Sequence, residues 1–253
     1  MGTLKKLGIG LSLVVGAGAA GLGAVMWSTF HGIAPMPPRT ELPDGALLIQ
    51  DGFVGVGIVP VGESKAVLID CGSDAAAVNV KAALDQAHLT PIAALLTHGH
   101  PDHVGGCNAF PGIEIAGMPG DVALAAGQVA SGSPIGSIMG KSSTVVHVTR
   151  QVKDGEVVEY GTARFRVFAV PGHTQGSAAY LVNGVLFLGD SAAQREDGAI
   201  IRAPWIFSDD LDRNVGALHQ LATRIAPSEV RVMVFAHSAV SDKGPAALAA
   251  VTR

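Results

Sequence analysis

The sequence predicts an α+β fold, and three observations carry that prediction. Short runs of Val, Ile, Leu and Ala bounded by Gly, Asp and Pro recur along the chain and read as strands. Helical stretches separate them, so that strand clusters and helices occur in two comparable halves. No repeat with a period of roughly 20–50 residues is present, which excludes a solenoid.

A chain of 253 residues, 48% of them hydrophobic, can bury one substantial core. Gly at 33 residues and aromatics at 5% suit tight loops around a sheet of aliphatic side chains. The net charge is -4, and no dense Lys/Arg block follows the N-terminus. That excludes the basic footprint of a nucleic-acid-processing enzyme. The two cysteines, Cys71 and Cys107, make no framework. They read as two buried, unpaired thiols, with a bridge conceivable in an oxidising compartment.

From the N-terminus, Lys5 and Lys6 precede an uncharged run at 7–27. At about 1.5 Å per helical residue the run is long enough to cross a hydrocarbon core of ~30 Å. Its basic start places the N-terminus on the cytoplasmic side and the rest outside. A cleaved secretory signal competes, with residues 7–15 as its apolar region and Ala17-Gly18-Ala19 as its cleavage site. Apolar residues continue past Ala19 and favour an uncleaved membrane anchor; both readings export the domain. Residues 1–40 are therefore anchor or signal plus a stiff linker at Pro35-Met36-Pro37-Pro38, and the folded domain is 41–253, starting near Glu41.

Within that domain, residues 46–50 and 53–59 read as paired strands joined at Asp51-Gly52. Residues 66–70 form the next strand, and Ser73 or Asp74 caps a helix reaching about Ala87. Residues 92–96 are a short buried strand, Val104-Gly105-Gly106 opens a short helix, and residues 113–115 are a further strand. Residues 127–143, rich in Gly and Ser without periodicity, read as a long loop of the kind that carries function. Strand signals return at 145–149, 156–160, 164–170, 178–182 and 185–188, with turns at Lys153-Asp154-Gly155 and Asn183-Gly184. Residues 194–210 are irregular, 211–225 helical, 230–235 a last core strand and 245–251 a closing helix.

The chemistry concentrates in Thr97-His98-Gly99-His100-Pro101-Asp102-His103, directly after the strand at 92–96. His98 and His100 are two residues apart in extended backbone, so their rings point the same way. Pro101 ends the extended segment, and the next turn brings Asp102 and His103 round beside them. Neutral imidazoles and carboxylates are the ligands of zinc, iron or manganese. Three more candidates obey the same rule, each ending an apolar run: His173, Asp190 and His237. Strand ends on one edge of a sheet converge, so these side chains can meet. Five imidazoles and two carboxylates suffice for two metals with open positions. His31, His88, His147 and His219 have no partner in the motif.

These residues carry a resemblance. The motif at 97–103, Pro171-Gly172-His173-Thr174, Leu188-Gly189-Asp190 and Ala236-His237 resemble the metallo-β-lactamase superfamily, most of all its glyoxalase II and lactonase type, over roughly residues 47–251. The resemblance implies an αββα sandwich with the metal site at one edge between the sheets. It implies that His98, His100 and His173 hold one metal, that Asp102, His103 and His237 hold the other, and that Asp190 bridges them. Asp70 would orient a ligand from behind. The commonest β-lactamase subclass has a cysteine in place of Asp190 and an arginine in place of His103, which argues against antibiotic hydrolysis. True glyoxalase II continues into a helical region gripping glutathione, whereas about sixteen residues follow His237 here. The lactonases use a downstream tyrosine; Tyr160 and Tyr180 read as buried strand residues instead.

Two divalent ions about 3.5–4 Å apart, most readily zinc with iron or manganese as alternatives, make hydroxide available near neutral pH for attack on an ester, thioester or lactone of a small substrate. Asp102, a ligand that also touches that hydroxide, is the catalytic proton carrier. The rival class is an iron-dependent oxidoreductase of the persulfide dioxygenase type on the same scaffold. Specificity falls to the stretches at 127–143 and 194–210, where Trp205 and Phe207 either line a largely apolar pocket or plug the core.

Overall fold

Strands whose residues are apolar on both faces need cover on both faces, and the chain supplies it. In the computed structural model, which describes residue 21 and residues 23–253, most strands fall into two sheets. The first runs in sequence order through β1 (Arg39–Glu41), β2 (Leu47–Asp51), β3 (Val54–Gly62), β4 (Lys65–Ile69), β5 (Thr90–Leu95), β6 (Glu114–Gly117) and β7 (Arg150–Gln151). β8 (Val157–Tyr160), β9 (Ala163–Ala169), β10 (Ala178–Val182) and β11 (Val185–Phe187) build the second. A ribbon of β12 (Ala192–Gln194) and β13 (Ile200–Arg202) follows, and β14 (Val232–Val234) then completes the second sheet beside β11. From residue 33 onward the α-helices are α1 (Val78–Gln86), α2 (Pro101–Val104), α3 (Val122–Ala125), α4 (Pro134–Met139) and α5 (Leu211–Arg224).

Three buried clusters define the layers. Val67, Ile69 and Leu95 of the first sheet pack against Phe165, Val167, Tyr180 and Phe187 of the second. The alternate residues Ala66, Leu68 and Ala94 face Val80, Ala83 and Leu84 of α1. On the far side, Phe168, Leu181, Leu186 and Met233 meet Val215, Leu218 and Leu221 of α5. Neighbouring residues of one strand thus enter different clusters, as the period of two requires. The result is the αββα sandwich.

Topology explains where the site must lie. β4 and β5 are parallel, as are β11 and β14, and β9 runs with them because it pairs antiparallel to β10, which pairs antiparallel to β11. The segments carrying Asp70, His98, His173, Asp190 and His237 all leave the C-terminal ends of these strands. Brought to strand ends, they converge.

Several local expectations are corrected. Cys71 and Cys107 are bridged, with Cα atoms 5.0 Å apart, rather than free thiols. The turn after α2 can lie flat on the end of β4 because a Cβ on Gly106 would sit 2.3 Å from the Cys71 carbonyl oxygen. The Cys71 amide also donates to the His103 carbonyl at 2.7 Å, which holds the two cysteines face to face. The short helix is α2, opened by Pro101, so Asp102 and His103 sit on it rather than before it. Asp74, not Ser73, receives the amides of Ala76 and Val78 ahead of α1, while Ser73 binds Asp51. The long stretch at 127–143 contains α4, capped by the Ser133 hydroxyl accepting from Gly136. Among residues 145–151 only β7 is a strand, and the closing helix is a 3-10 helix at Pro245–Ala250.

Residues Ile33–Arg253 form one compact unit. Ala34 is buried there and donates its amide to Gln194. Most of the apolar run at 7–27 lies outside the described residues. Among the described residues no helix is long and apolar enough to cross a membrane.

Candidate metal centre

The seven residues singled out by pattern meet at one edge between the sheets. They form three overlapping groups: His98, His100 and His173; His98, His103 and Asp190; and Asp102, His103 and His237, with ligand atoms in each group within 4.8 Å of one another. In the first group, His98 Nε2, His100 Nδ1 and His173 Nε2 form a triangle with edges of 3.0, 3.1 and 3.2 Å. In the group of Asp102, His103 and His237, which is the second ligand group beside that histidine triad, His237 Nε2 lies 3.3 Å from an Asp102 oxygen and 3.2 Å from Asp190 Oδ2. Asp190 Oδ1 is 3.2 Å from His103 Nε2, so this carboxylate stands between the groups.

Hydrogen bonds behind the rings decide which nitrogen faces inward. His103 Nδ1 donates to Asp70 Oδ2 at 2.8 Å, and His237 Nδ1 to the Phe53 carbonyl at 2.8 Å. The Thr97 hydroxyl donates to Asp70 at 2.7 Å and so accepts from His98 Nδ1 at 3.1 Å. Ser208 donates to the Pro204 carbonyl at 2.7 Å and so accepts from His173 Nδ1 at 3.0 Å. Four rings therefore aim Nε2 into one space, the outer-shell arrangement that fixes metal-binding imidazoles.

Charge divides the centre in two. Burial, reinforced by the neighbouring rings, keeps His98 far below the ordinary histidine value, and burial lowers His100 and takes His173 to about 3. These rings are neutral. Burial also acts on His103 and His237, but there Asp190 and Asp102 outweigh it: His103 is raised well above its ordinary value and His237 to about 10. Asp102 and Asp190 are held low, burial being overcome by His103 and His237. The carboxylates of the second group thus favour positive charge beside them.

The donors fit divalent ions. His103 Nε2 and Asp190 Oδ1 are buried and, among the described residues, have no hydrogen-bonding neighbour but each other, 3.2 Å apart. Vertices of a triangle with edges near 3.1 Å lie roughly 1.8 Å from its centre, a spacing compatible with the roughly 2.0–2.1 Å at which imidazole nitrogens hold such an ion. Three facing imidazole lone pairs have no other common partner. The open side is marked by exposure: the side chains of His103 and His173 are 0% exposed, those of His237 and Asp102 18% and 23%.

Several supporting groups lie outside the reach of residue patterns. Asp70, expected behind a ligand, binds Thr97 and His103 from a left-handed backbone position, φ 63°. Ser208 and the buried Asp121 give no signal in the sequence, since a lone polar residue in a turn has no periodicity. Phe53, an exposed aromatic at the hairpin tip, stacks on His237 with ring centres 5.7 Å apart. Tyr180 is buried and donates to the Leu96 carbonyl, and Tyr160 binds Glu114, so neither tyrosine serves the centre.

Comparison with known proteins adds to this picture. Residues 51–237 match the metallo-beta-lactamase superfamily. A hydroxyacylglutathione hydrolase of Xanthomonas campestris pv. campestris (strain B100) is 34% identical over 133 residues, 51% of this chain and 42% of that protein. The same-named protein of Photobacterium profundum is 32% identical over 129 residues, 49% of this chain and 41% of its own length. The match thus spans less than half the length of these curated relatives. Among solved structures, the Rm3 metallo-beta-lactamase superposes with a TM-score of 0.65 at 19% identity, covering 88% of this chain and 93% of that one. The BLEG-1 B3 metallo-beta-lactamase gives 0.57 at 24% identity, covering 74% and 88%. Likeness at that identity is likeness of fold.

Proposed function

We propose that this chain, which belongs to the metallo-beta-lactamase superfamily, is a binuclear metal-dependent hydrolase acting on an ester, thioester or lactone bond of a small substrate. The observation that carries the reading is the convergence of imidazole Nε2 atoms and two carboxylates on one partly open space. His98, His100 and His173 would hold one ion, Asp102, His103 and His237 the other, with Asp190 shared. Bound divalent ions, zinc by preference for this nitrogen-rich set, would supply an activated water at neutral pH and polarise the carbonyl. The chain's own residues do the rest. Asp102 is the more exposed carboxylate and holds an oxygen at the open side, where it can carry a proton between water and the leaving group. Asp190, nearly buried, keeps the two groups in register. Phe53 presents an apolar ring at the rim, which favours an apolar substrate over an ionic one.

The reading extends to location. A basic start followed by the uncharged run at 7–27 supports export, either anchored in the membrane or released by cleavage. The Cys71–Cys107 bridge supports the same conclusion, since such bonds persist in oxidising compartments.

Metal analysis of the purified protein is the test. Two ions per chain are expected, with His173→Ala and His237→Ala each losing one and the double variant losing both. Hydrolysis should follow on ester, thioester or lactone substrates. A colourless zinc protein agrees with this reading; an iron protein that consumes oxygen with a persulfide and cleaves no ester would replace it. An unchanged metal count in both single variants would remove the constellation altogether.

A further inference from the structure

The first ligand group is assembled from two turns of different sheets, His98-Gly99-His100 after β5 and Gly172-His173-Thr174 after β9. One buried carboxylate outside the ligand set spans both. Asp121 ends the 3-10 turn Pro119–Asp121 that follows β6, and it is 5% exposed. Its Oδ2 accepts the Gly99 amide at 2.8 Å and the Thr174 hydroxyl at 2.6 Å, while Oδ1 accepts the Gly176 amide at 2.7 Å. Ser177 closes the arrangement, its hydroxyl accepting the Thr174 amide at 2.9 Å and lying 2.7 Å from the Thr174 hydroxyl.

Close approach of the three segments depends on glycine. A Cβ on Gly99 would come within 2.9 Å of the Ala125 amide nitrogen, and one on Gly120 within 2.8 Å of the Gln175 carbonyl. One on Gly176 would lie 2.5 Å from the Asp121 amide nitrogen. Burying a carboxylate is costly unless its oxygens are satisfied, and here every bond reaches a ligand turn. Asp70 does the equivalent for the second group, through Thr97 and His103. The motif at 97–103 is therefore held between two buried aspartates, one on each side.

We propose that Asp121 is the positioning residue for the ion held by His98, His100 and His173, tying the two turns so that their ring nitrogens keep a spacing of 3.0–3.2 Å. The proposal rests on the binuclear reading given above. Ligand distances tolerate deviations of only about ±0.2 Å, so a small separation of the turns is enough to weaken that ion. Asn at this position keeps the shape but turns an NH2 towards donors, which pushes the turns apart.

Zinc affinity by chelator competition, measured in two backgrounds, tests this without reference to activity. In His237→Ala, where the first group is retained, Asp121→Asn should weaken zinc about 10–100-fold, the usual cost of losing an outer-shell partner. In His173→Ala, where the second group is retained, it should leave affinity unchanged. Thr174→Val, which removes one of the three bonds to Asp121, should give a smaller loss confined to the first background. Equal weakening in both backgrounds would make Asp121 merely structural, and no weakening in either would overturn its role. Should Asp121→Asn fail to fold, Thr174→Val decides: selective weakening supports the proposal and unchanged affinity overturns it. An unmutated chain that takes up no zinc overturns the metal reading itself, and a chain that takes up two with Asp121→Asn at full affinity overturns only the role of Asp121.

Discussion

A histidine's use is settled by what stands behind its ring. His173 and His237 both direct Nε2 inward, yet burial leaves His173 neutral down to about 3 while Asp190 and Asp102 raise His237 to about 10. An ion entering the second group must displace the protons of His103 and His237; one entering the first has none to displace at neutral pH. Zinc uptake by His173→Ala should therefore release about two protons more than uptake by His237→Ala and should tighten as pH rises towards 10. Calorimetry in two buffers of different ionisation enthalpy measures the released protons. Equal release from both variants would refute the division of charge. The same shift has a sign in the metal-free protein. His237 is raised above its ordinary 6.5, so its contribution to stability is complete below that value and is lost as pH rises through about 10.

At the scale of elements, the ligand set was legible because each ligand ends an apolar run, and parallel strands such as β4 with β5 and β11 with β14 deliver their ends to one edge. The supporting groups were not legible. Asp121 and Ser208 act through backbone turns that only the folded chain brings together. The bridge escaped because Gly105 and Gly106 give no sign that α2 folds back on β4. The two irregular stretches do meet: Pro134 and Ser137 of α4, with Trp205, Ser208 and Asp209, line a cavity of about 510 Å³. Trp205 is 41% exposed, while its neighbour Ile206 is buried, so the tryptophan does not plug the core. Trp205→Ala should shift relative rates along an ester chain-length series, with less than the ~3–5 kcal/mol lost when a core aromatic is truncated. A full core-sized loss in chemical denaturation, with unaltered selectivity, would return Trp205 to a structural role.

For the whole molecule, the Cys71–Cys107 bridge closes a loop of 36 residues that contains α1, β5 and the motif at 97–103. Both sulfurs sit in the cluster between the first sheet and α1, away from the cluster that joins the two sheets. Losing the bridge should therefore loosen one layer of the sandwich and leave the sheet-to-sheet core in place. A loop of that size constrains the unfolded chain by roughly 3–4 kcal/mol, a large share of a domain's ordinary stability. Zinc held by the folded chain alone would raise the stability of the bridged and unbridged proteins alike by mass action, so the two effects separate. Denaturation of the Cys71→Ser, Cys107→Ser double variant should accordingly be measured twice. With chelator present, the midpoint should fall well below that of the bridged protein; with excess zinc, both midpoints should rise by a similar amount and the gap between them should remain. A double variant as stable as the bridged protein in chelator would mean that the bridge does not constrain the chain, and the support it lends to export would go with it.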